Sequence, residues 1–183
     1  MELSHQFLLS MPTLEDPNFQ RTLTFVCEHS DNGAMGLVVN RPMALTVGEV
    51  MQHLEIDPVT PEVARMPVLY GGPVDTERGF ILHEPGHQWD STMVLSEDVA
   101  LTTSRDVLEA MARGEGPGRV LVTLGYSGWG PGQLEDEITR NAWLTCPAGA
   151  DILFALPPEE RLPAAAARLG IDLDLISSDT GHA

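Results

Sequence analysis

Four stretches of the chain carry residue types that could do chemistry. His83-Glu-Pro-Gly-His87 spells the HExxH pattern, which holds zinc because one helical turn puts two imidazoles on one side and the glutamate beside the metal-bound water. Pro85 and Gly86 fall where that helix is required, and Gly79 to Leu82 reads as strand, so His83 and His87 share no helical face. Ser127 follows Gly125-Tyr126 and invites a nucleophile-elbow reading, but the elbow needs glycine two residues later and Trp129 stands there. A turn serine with a local hydrogen bond is the simpler reading. Cys27 and His29 alternate on an extended run and could pair as thiolate and imidazole, although a free cysteine on an apolar strand ordinarily belongs to the core.

The fourth stretch, Gly125-Tyr-Ser-Gly-Trp-Gly-Pro-Gly-Gln-Leu-Glu-Asp-Glu-Ile138, sets glycines and a proline against the start of an amphipathic helix. Gly128, Gly130 and Gly132 permit backbone conformations closed to other residues, and Pro131 suits a first helical position. Free N–H groups at a helix start attract anions. The stretch lacks the P-loop lysine and the GxGxxG spacing, and Glu135, Asp136 and Glu137 already supply the negative charge that a helix N-terminus favours. It reads as a capped helix with Leu134 and Ile138 facing inward, an Asp136–Arg140 pair, and a polar stripe of Gln133, Glu137 and Asn141. Trp129 and Trp143 would flank a cleft or simply pack. No catalytic residue, metal ligand or cofactor is assigned.

The elements that must position these residues are legible in outline. Arg21 to His29 alternates, with Leu23, Phe25, Cys27 and His29 on one face and Thr22, Thr24 and Glu28 on the other. The Ser30-Asp-Asn-Gly33 turn and the apolar Met35 to Val39 run then predict a hairpin. Thr46 to Glu49 has capping-box spacing ahead of Val50, Met51 and Leu54, and Pro58 and Pro61 close that helix. Pro67 to Val74 is a strand broken by Gly71-Gly72-Pro73, and Arg78 to His83, Met93 to Leu95 and Val99 to Thr102 continue the sheet. Ser104 is placed to cap a helix carrying Val107, Leu108 and Met111 that ends at Gly114. Arg119 to Leu124 is the clearest buried strand. After the helix from Pro131 to Arg140, Ala142 to Cys146 and Ile152 to Phe154 read as strands, and Pro158 to Leu169 as a helix. This order is α+β rather than a regular βαβ series.

At 183 residues the chain is expected to form a single domain, residues 1–183, with a core that needs no metal or disulfide. No apolar run approaches the roughly 20 residues of a membrane span. Met1 to Phe7 lacks a basic n-region and Phe7 to Leu9 is too short for a signal peptide, so a cytoplasmic protein is expected, with Cys27 and Cys146 reduced and buried. There are 27 acidic and 10 basic residues, giving a net charge of -17, and every basic residue is arginine. Polyanions are repelled by such a chain, which argues against direct nucleic-acid binding.

Phe7-Leu-Leu-Ser-Met-Pro12, Gly33 to Pro42, Tyr70-Gly-Gly-Pro-Val74, Gly79 to His83, Gly125 to Leu134 and the Gly181-His-Ala183 end occur together in this order. That set resembles the YqgE/AlgH family of bacterial proteins. The resemblance implies an α+β fold whose mixed sheet is branched, partly barrel-like and flanked by helices. It supplies no catalytic residues, and some members bear the label of transcriptional regulator of alginate synthesis. The expected function is a binding or regulatory module for a protein or small-molecule partner, its cleft built from Asn40, Arg41, Gly71, Gly72, Gly128, Trp129, Gly130, Gln133 and Glu137. Polar residues following a buried strand, as Asn40 and Arg41 do, often meet ligands. The alternatives are a hydrolase with an unrecognised site and a direct DNA-binding regulator, the latter disfavoured by charge.

Overall fold

The computed structural model describes residues 1–12, 14 and 16–173; the Gly181-His-Ala183 end lies outside the described residues. The first five strands are β1 (Gln6–Ser10), β2 (Leu23–Ser30), β3 (Gly33–Val38), β4 (Pro42–Thr46) and β5 (Pro67–Tyr70). The next five are β6 (Val74–His83), β7 (Thr92–Val94), β8 (Ala100–Thr102), β9 (Val120–Trp129) and β10 (Trp143–Pro147). The helices are α1 (Val47–His53), α2 (Pro61–Ala64), α3 (Arg105–Ala112), α4 (Gln133–Thr139), α5 (Ala150–Leu153) and α6 (Pro158–Arg168). The strands run β10-β1-β2-β3-β9-β6-β8-β7, with β4 and β5 off this path. The architecture is a mixed α+β fold around a curled, mostly antiparallel half-barrel sheet, as the family resemblance implies.

β9 is where the sheet branches. Its first half pairs with β6 and, in parallel, with β5, while its last residues, Ser127 to Trp129, pair with β3. Strand β9 therefore runs straight through the segment read from sequence as a turn after Leu124. The reason is backbone proximity. Gly71, Gly72 and Gly125 lie so close together that a Cβ at Gly71 would strike the Gly125 carbonyl, one at Gly72 the Tyr126 carbonyl, and one at Gly125 the Gly72 carbonyl. Gly125 also has φ +78°, a conformation that favours glycine. A glycine-rich stretch can be strand when another backbone must approach it this closely.

The β2–β3 hairpin forms as its turn residues predict, and α1 begins with the full capping box: the Thr46 hydroxyl accepts from the Glu49 N–H while the Glu49 carboxylate accepts from the Thr46 N–H. Three readings need correction. Ile152 to Phe154 is not a strand, because Ala150–Leu153 forms helix α5 and buries Ile152 and Leu153; a short apolar run does not by periodicity reveal which element it is. Pro131 precedes α4 rather than starting it, since the cap is Gly132 at φ +74°. Ser104 holds the cap position of α3, but its hydroxyl donates to Asp106 and accepts from the Ser91 N–H, so it leaves the helix N–H groups alone.

Three apolar clusters clothe the sheet. α5 and α6 bring Ile152, Leu153, Leu162 and Ala165 against Phe7, Phe25, Leu82 and Leu101 on the concave side. α1 and α3 pack Met51, Val107 and Met111 on Val68, Ile81 and Val122. α4 lays Leu134 and Ile138 on Leu8, Val26, Trp129 and Trp143. α6 is further held by Arg161, 4% exposed, whose guanidinium donates to the Val39 and Leu156 carbonyls. Burial lowers its pKa to about 10, so it remains charged at neutral pH.

The branch predicts a contrast among glycine variants. Gly72→Ala or Gly125→Ala must push two strands apart and should cost about 3 kcal/mol or more, or prevent folding. Gly132→Ala meets nothing within 4 Å and should cost only about 1 kcal/mol for its positive φ. Urea denaturation midpoints of the three variants check the order.

Candidate functional site

The concave face is only partly filled. Beyond the reach of α5 and α6 it stays open as a groove of about 730 Å³ across β2, β3, β9, β6, β8 and β7. Met35, Val74, Phe80, Met93, Leu101 and Tyr126 make its apolar lining, and Gly128 lets its floor run close to the backbone. Val74 is 36% and Met93 54% exposed, so two large apolar side chains at the rim face solvent. Tyr126 and Phe80 meet edge to face with centroids 5.5 Å apart, and the Arg78 guanidinium sits 5.2 Å over the Phe80 ring. Glu28 and Arg78 are the charged residues of the lining.

Glu28 reaches the groove because of a β-bulge. Across β2 and β3, Val26 pairs with Gly36 but Glu28 pairs with Met35, leaving Cys27 as the extra residue. A bulge resets the alternation of faces. Cys27 and Glu28 therefore follow Phe25 onto the concave side, and His29 swings to the other side of the sheet, which corrects the one-face reading of Leu23 to His29. There His29 accepts from the Leu3 N–H through Nδ1 and donates from Nε2 to Glu135 Oε1, 3.1 Å away. The Glu135 carboxyl is held below its ordinary value first by its own backbone N–H and then by this imidazole. Cys27 is 4% exposed and burial pushes its thiol far up. It is not poised as a thiolate, and the bulge separates it from His29.

The segment after β9 forms a closed polar latch on the convex side. Glu137 Oε1 accepts from the indole N–H of Trp129 at 3.1 Å and of Trp143 at 2.9 Å, and its Oε2 accepts from Gln133 at 2.9 Å. Gln133 in turn accepts from the Gly130 N–H at 2.9 Å. The two indoles pack edge to face, 6.0 Å between centroids, and are 6% and 1% exposed. They fill a core rather than flank a cleft. Polar stripe and aromatic pair are thus one device, which aims the turn from β9 into α4 by satisfying every donor it buries.

The remaining predicted residues hold backbone to backbone. Asn40 accepts from the Leu23 N–H and donates to the Arg21 carbonyl. Arg41 donates to the carbonyls of Asn18 and Gln20. Phe19, between those two, stacks on Trp129 at 6.1 Å and meets Trp143 edge-on at 5.5 Å. The segment from Asp16 to Arg21 therefore connects Asn40 and Arg41 with the Trp129 latch, while Gly71 and Gly72 lie in the branch. Of the residues predicted as a cleft, Gly128 and Trp129 border the groove, Trp129 with its ring turned away into the convex cluster. Met35, Val74, Phe80 and Met93 were not singled out from sequence, because their common face exists only once the sheet has curled. The consecutive apolar Met93 and Val94 in a short strand were the available signal.

His83 ends β6, fully buried, and Pro85 and Gly86 follow it as non-helical chain, so the HExxH letters form no helix. Its Nδ1 lies 2.8 Å from the Glu84 carbonyl, which can only accept, so Nδ1 carries the proton. Nε2 then accepts from the Thr102 hydroxyl at 2.7 Å, Thr102 accepts from Thr92 at 2.8 Å, and Thr92 accepts from the Trp89 N–H. Burial pushes the His83 pKa down and keeps this chain of donors pointing one way. Ser127 is likewise structural: fully buried, it donates to the Gly71 carbonyl at 3.1 Å.

The AlgH-like family profile matches residues 7–174. A UPF0301 protein of Thioalkalivibrio sulfidiphilus is 59% identical over 180 residues, covering 98% of this chain and 96% of that one. A UPF0301 protein of Nitrosospira multiformis is 52% identical, covering 100% and 98%. The solution structure of the AlgH protein from Pseudomonas aeruginosa superposes with a TM-score of 0.81 at 51% identity, covering 97% of each chain. A Corynebacterium diphtheriae crystal structure, at 20% identity, shares the fold with a TM-score of 0.75 over 97% of this chain and 92% of that one. The chain belongs to the AlgH-like family.

Glu137→Ala strands two buried indole donors and should lower stability by about 2 to 6 kcal/mol, each orphaned donor costing roughly 1 to 3. Glu137→Gln keeps an acceptor and should cost less. Chemical denaturation followed by tryptophan fluorescence checks both, since Trp129 and Trp143 report on the latch itself.

Proposed function

We propose that this AlgH-like protein is a non-enzymatic regulatory module that binds a protein partner in the concave groove. The observation that carries the reading is the open apolar surface there: Met93 and Val74 stand exposed beside Met35, Phe80 and Tyr126 on one continuous face. Adjacent exposed apolar side chains mark interaction sites, and methionines adapt to a partner's shape. A small ligand is the less favoured occupant, because ligand pockets enclose most of their guest and this rim lies in solvent.

The net charge of -17 bears on the route of any regulation. A chain with this charge gains nothing from counterion release on a polyanion, so control of transcription would pass through a protein rather than through DNA contact. Among the described residues no helix is long and apolar enough to cross a membrane, and Cys27 and Cys146 are free thiols. The free thiols support residence in the cytoplasm, where thiols stay reduced.

Site-specific photocrosslinking inside the producing bacterium tests the groove. A benzophenone side chain at Met93 or Val74 should give a discrete protein adduct, and one at Leu54, just past the end of α1, should not. Adducts no stronger at Met93 and Val74 than at Leu54 would contradict the proposal. A metabolite that raises the melting temperature, with the rise lost in Met93→Glu, would redirect it to a small ligand.

A further inference from the structure

Strand β7 ends the sheet. Among the described residues it pairs only with β8, Thr92 opposite Thr102, Met93 opposite Leu101 and Val94 opposite Ala100. The Thr103 N–H donates to the Ser91 carbonyl and the Leu95 N–H to the Val99 carbonyl. Hydrogen-bonded pairs in an antiparallel ladder recur every second residue, so Met93 turns its N–H and C=O toward β8. Thr92 and Val94 then turn theirs outward, onto the open edge.

Native proteins blunt such an edge by keeping the strand short or by adding a charge, a proline or a covering loop. β7 is short, three residues, but from Ser91 to Ser96 the sequence is Ser-Thr-Met-Val-Leu-Ser, with neither charge nor proline. Met93 and Val94 are each 54% exposed, and Met93 is at once an edge residue and a wall of the groove. Acidic side chains surround the place: Asp90, Glu97 and Asp98 flank the strand and are exposed, and Glu28 lies in the groove, with Arg78 as the lining's cation. A second copy of this chain would bring the same acids to the same edge.

We infer that β7 is a pairing edge that takes an extended, basic segment of a partner protein as an added strand, whose alternate apolar side chains enter the groove beside Met93. The inference rests on the groove being the binding surface and adds the occupant's conformation and charge. Main-chain bonds to Thr92 and Val94 supply affinity, and the groove reads every second side chain. The acidic surround selects lysine and arginine at the intervening positions and speeds their approach.

The probe is a short peptide alternating lysine and valine, titrated into the isotope-labelled full chain and followed by NMR. The expected result is perturbation of the Thr92 and Val94 amides together with the Met35 and Met93 methyls, weakening as salt rises, with no binding of the glutamate–valine counterpart. Val94→Pro removes an outward N–H without breaking a bond to β8, and should weaken binding about tenfold or more. A peptide N-methylated on alternate residues should fail in the same way against the unaltered protein, which covers the case of a misfolded variant. Methyl shifts with undiminished binding to Val94→Pro and to the N-methylated peptide would overturn the edge while leaving the groove standing. Amide shifts without methyl shifts would support the edge and remove the groove from the interaction. Absence of binding, equal binding of the acidic peptide, or a dimer in sedimentation that Val94→Pro dissolves would overturn the inference.

Discussion

The structure depends on one close approach of backbone to backbone, where Gly71 and Gly72 meet Gly125 and Tyr126. At that point the Gly71 N–H donates to the Leu124 carbonyl at 2.8 Å, and the Gly71 carbonyl accepts from the Val38 N–H at 2.9 Å and the Ser127 hydroxyl at 3.1 Å. Three strands, β3, β5 and β9, are thus tied through a single residue. No Cβ fits there, which is why the chain places glycines where strands would ordinarily carry branched side chains. β9 can then serve β5 and β6 with its first half and β3 with its second. A sheet that changes partners along one strand cannot stay flat, and the resulting curl gives the molecule its concave and convex sides.

The open groove follows from how unequally those sides are covered. The convex side is closed by α4 and by the Glu137 carboxylate, which satisfies two buried indoles and a glutamine at once. The concave side is closed by α5 and α6 over part of its area and left open over the rest. The β2 bulge contributes an acidic group to the open part by moving Glu28 to the face it would otherwise miss. Exposed methionine and valine beside buried aromatic surface carry a hydration cost that a partner would relieve.

Much of the architecture could be read locally. The hairpin from Leu23 to Val38, the Thr46 capping box and the Asp136–Arg140 pair each depend on residues close in sequence, and each is present. What could not be read was set by distant contacts. Gly125 to Trp129 has turn composition yet forms strand because Gly71 and Gly72 arrive from more than fifty residues away, a pairing visible in the Ser127 to Gly71 bond across 56 positions. His29 changed face through a bulge that leaves no mark on the alternating pattern. Asn40, Arg41, Gln133 and Glu137 read from sequence as residues of a binding cleft, whereas in the described geometry their side chains hold the Asp16 to Arg21 segment and the tryptophan pair. The groove residues are apolar and scattered from Met35 to Tyr126, so nothing short of the curled sheet assembles them.

Native-state amide hydrogen exchange measures the branch and the free edge in one experiment. If the glycine contact fixes the sheet and β7 is its open border, the Val38 and Gly71 amides exchange only with global unfolding, while Thr92 and Val94 exchange far faster in the isolated protein. Loop-like rates at Gly71, or strong protection at Thr92 and Val94 without a partner, would contradict the account.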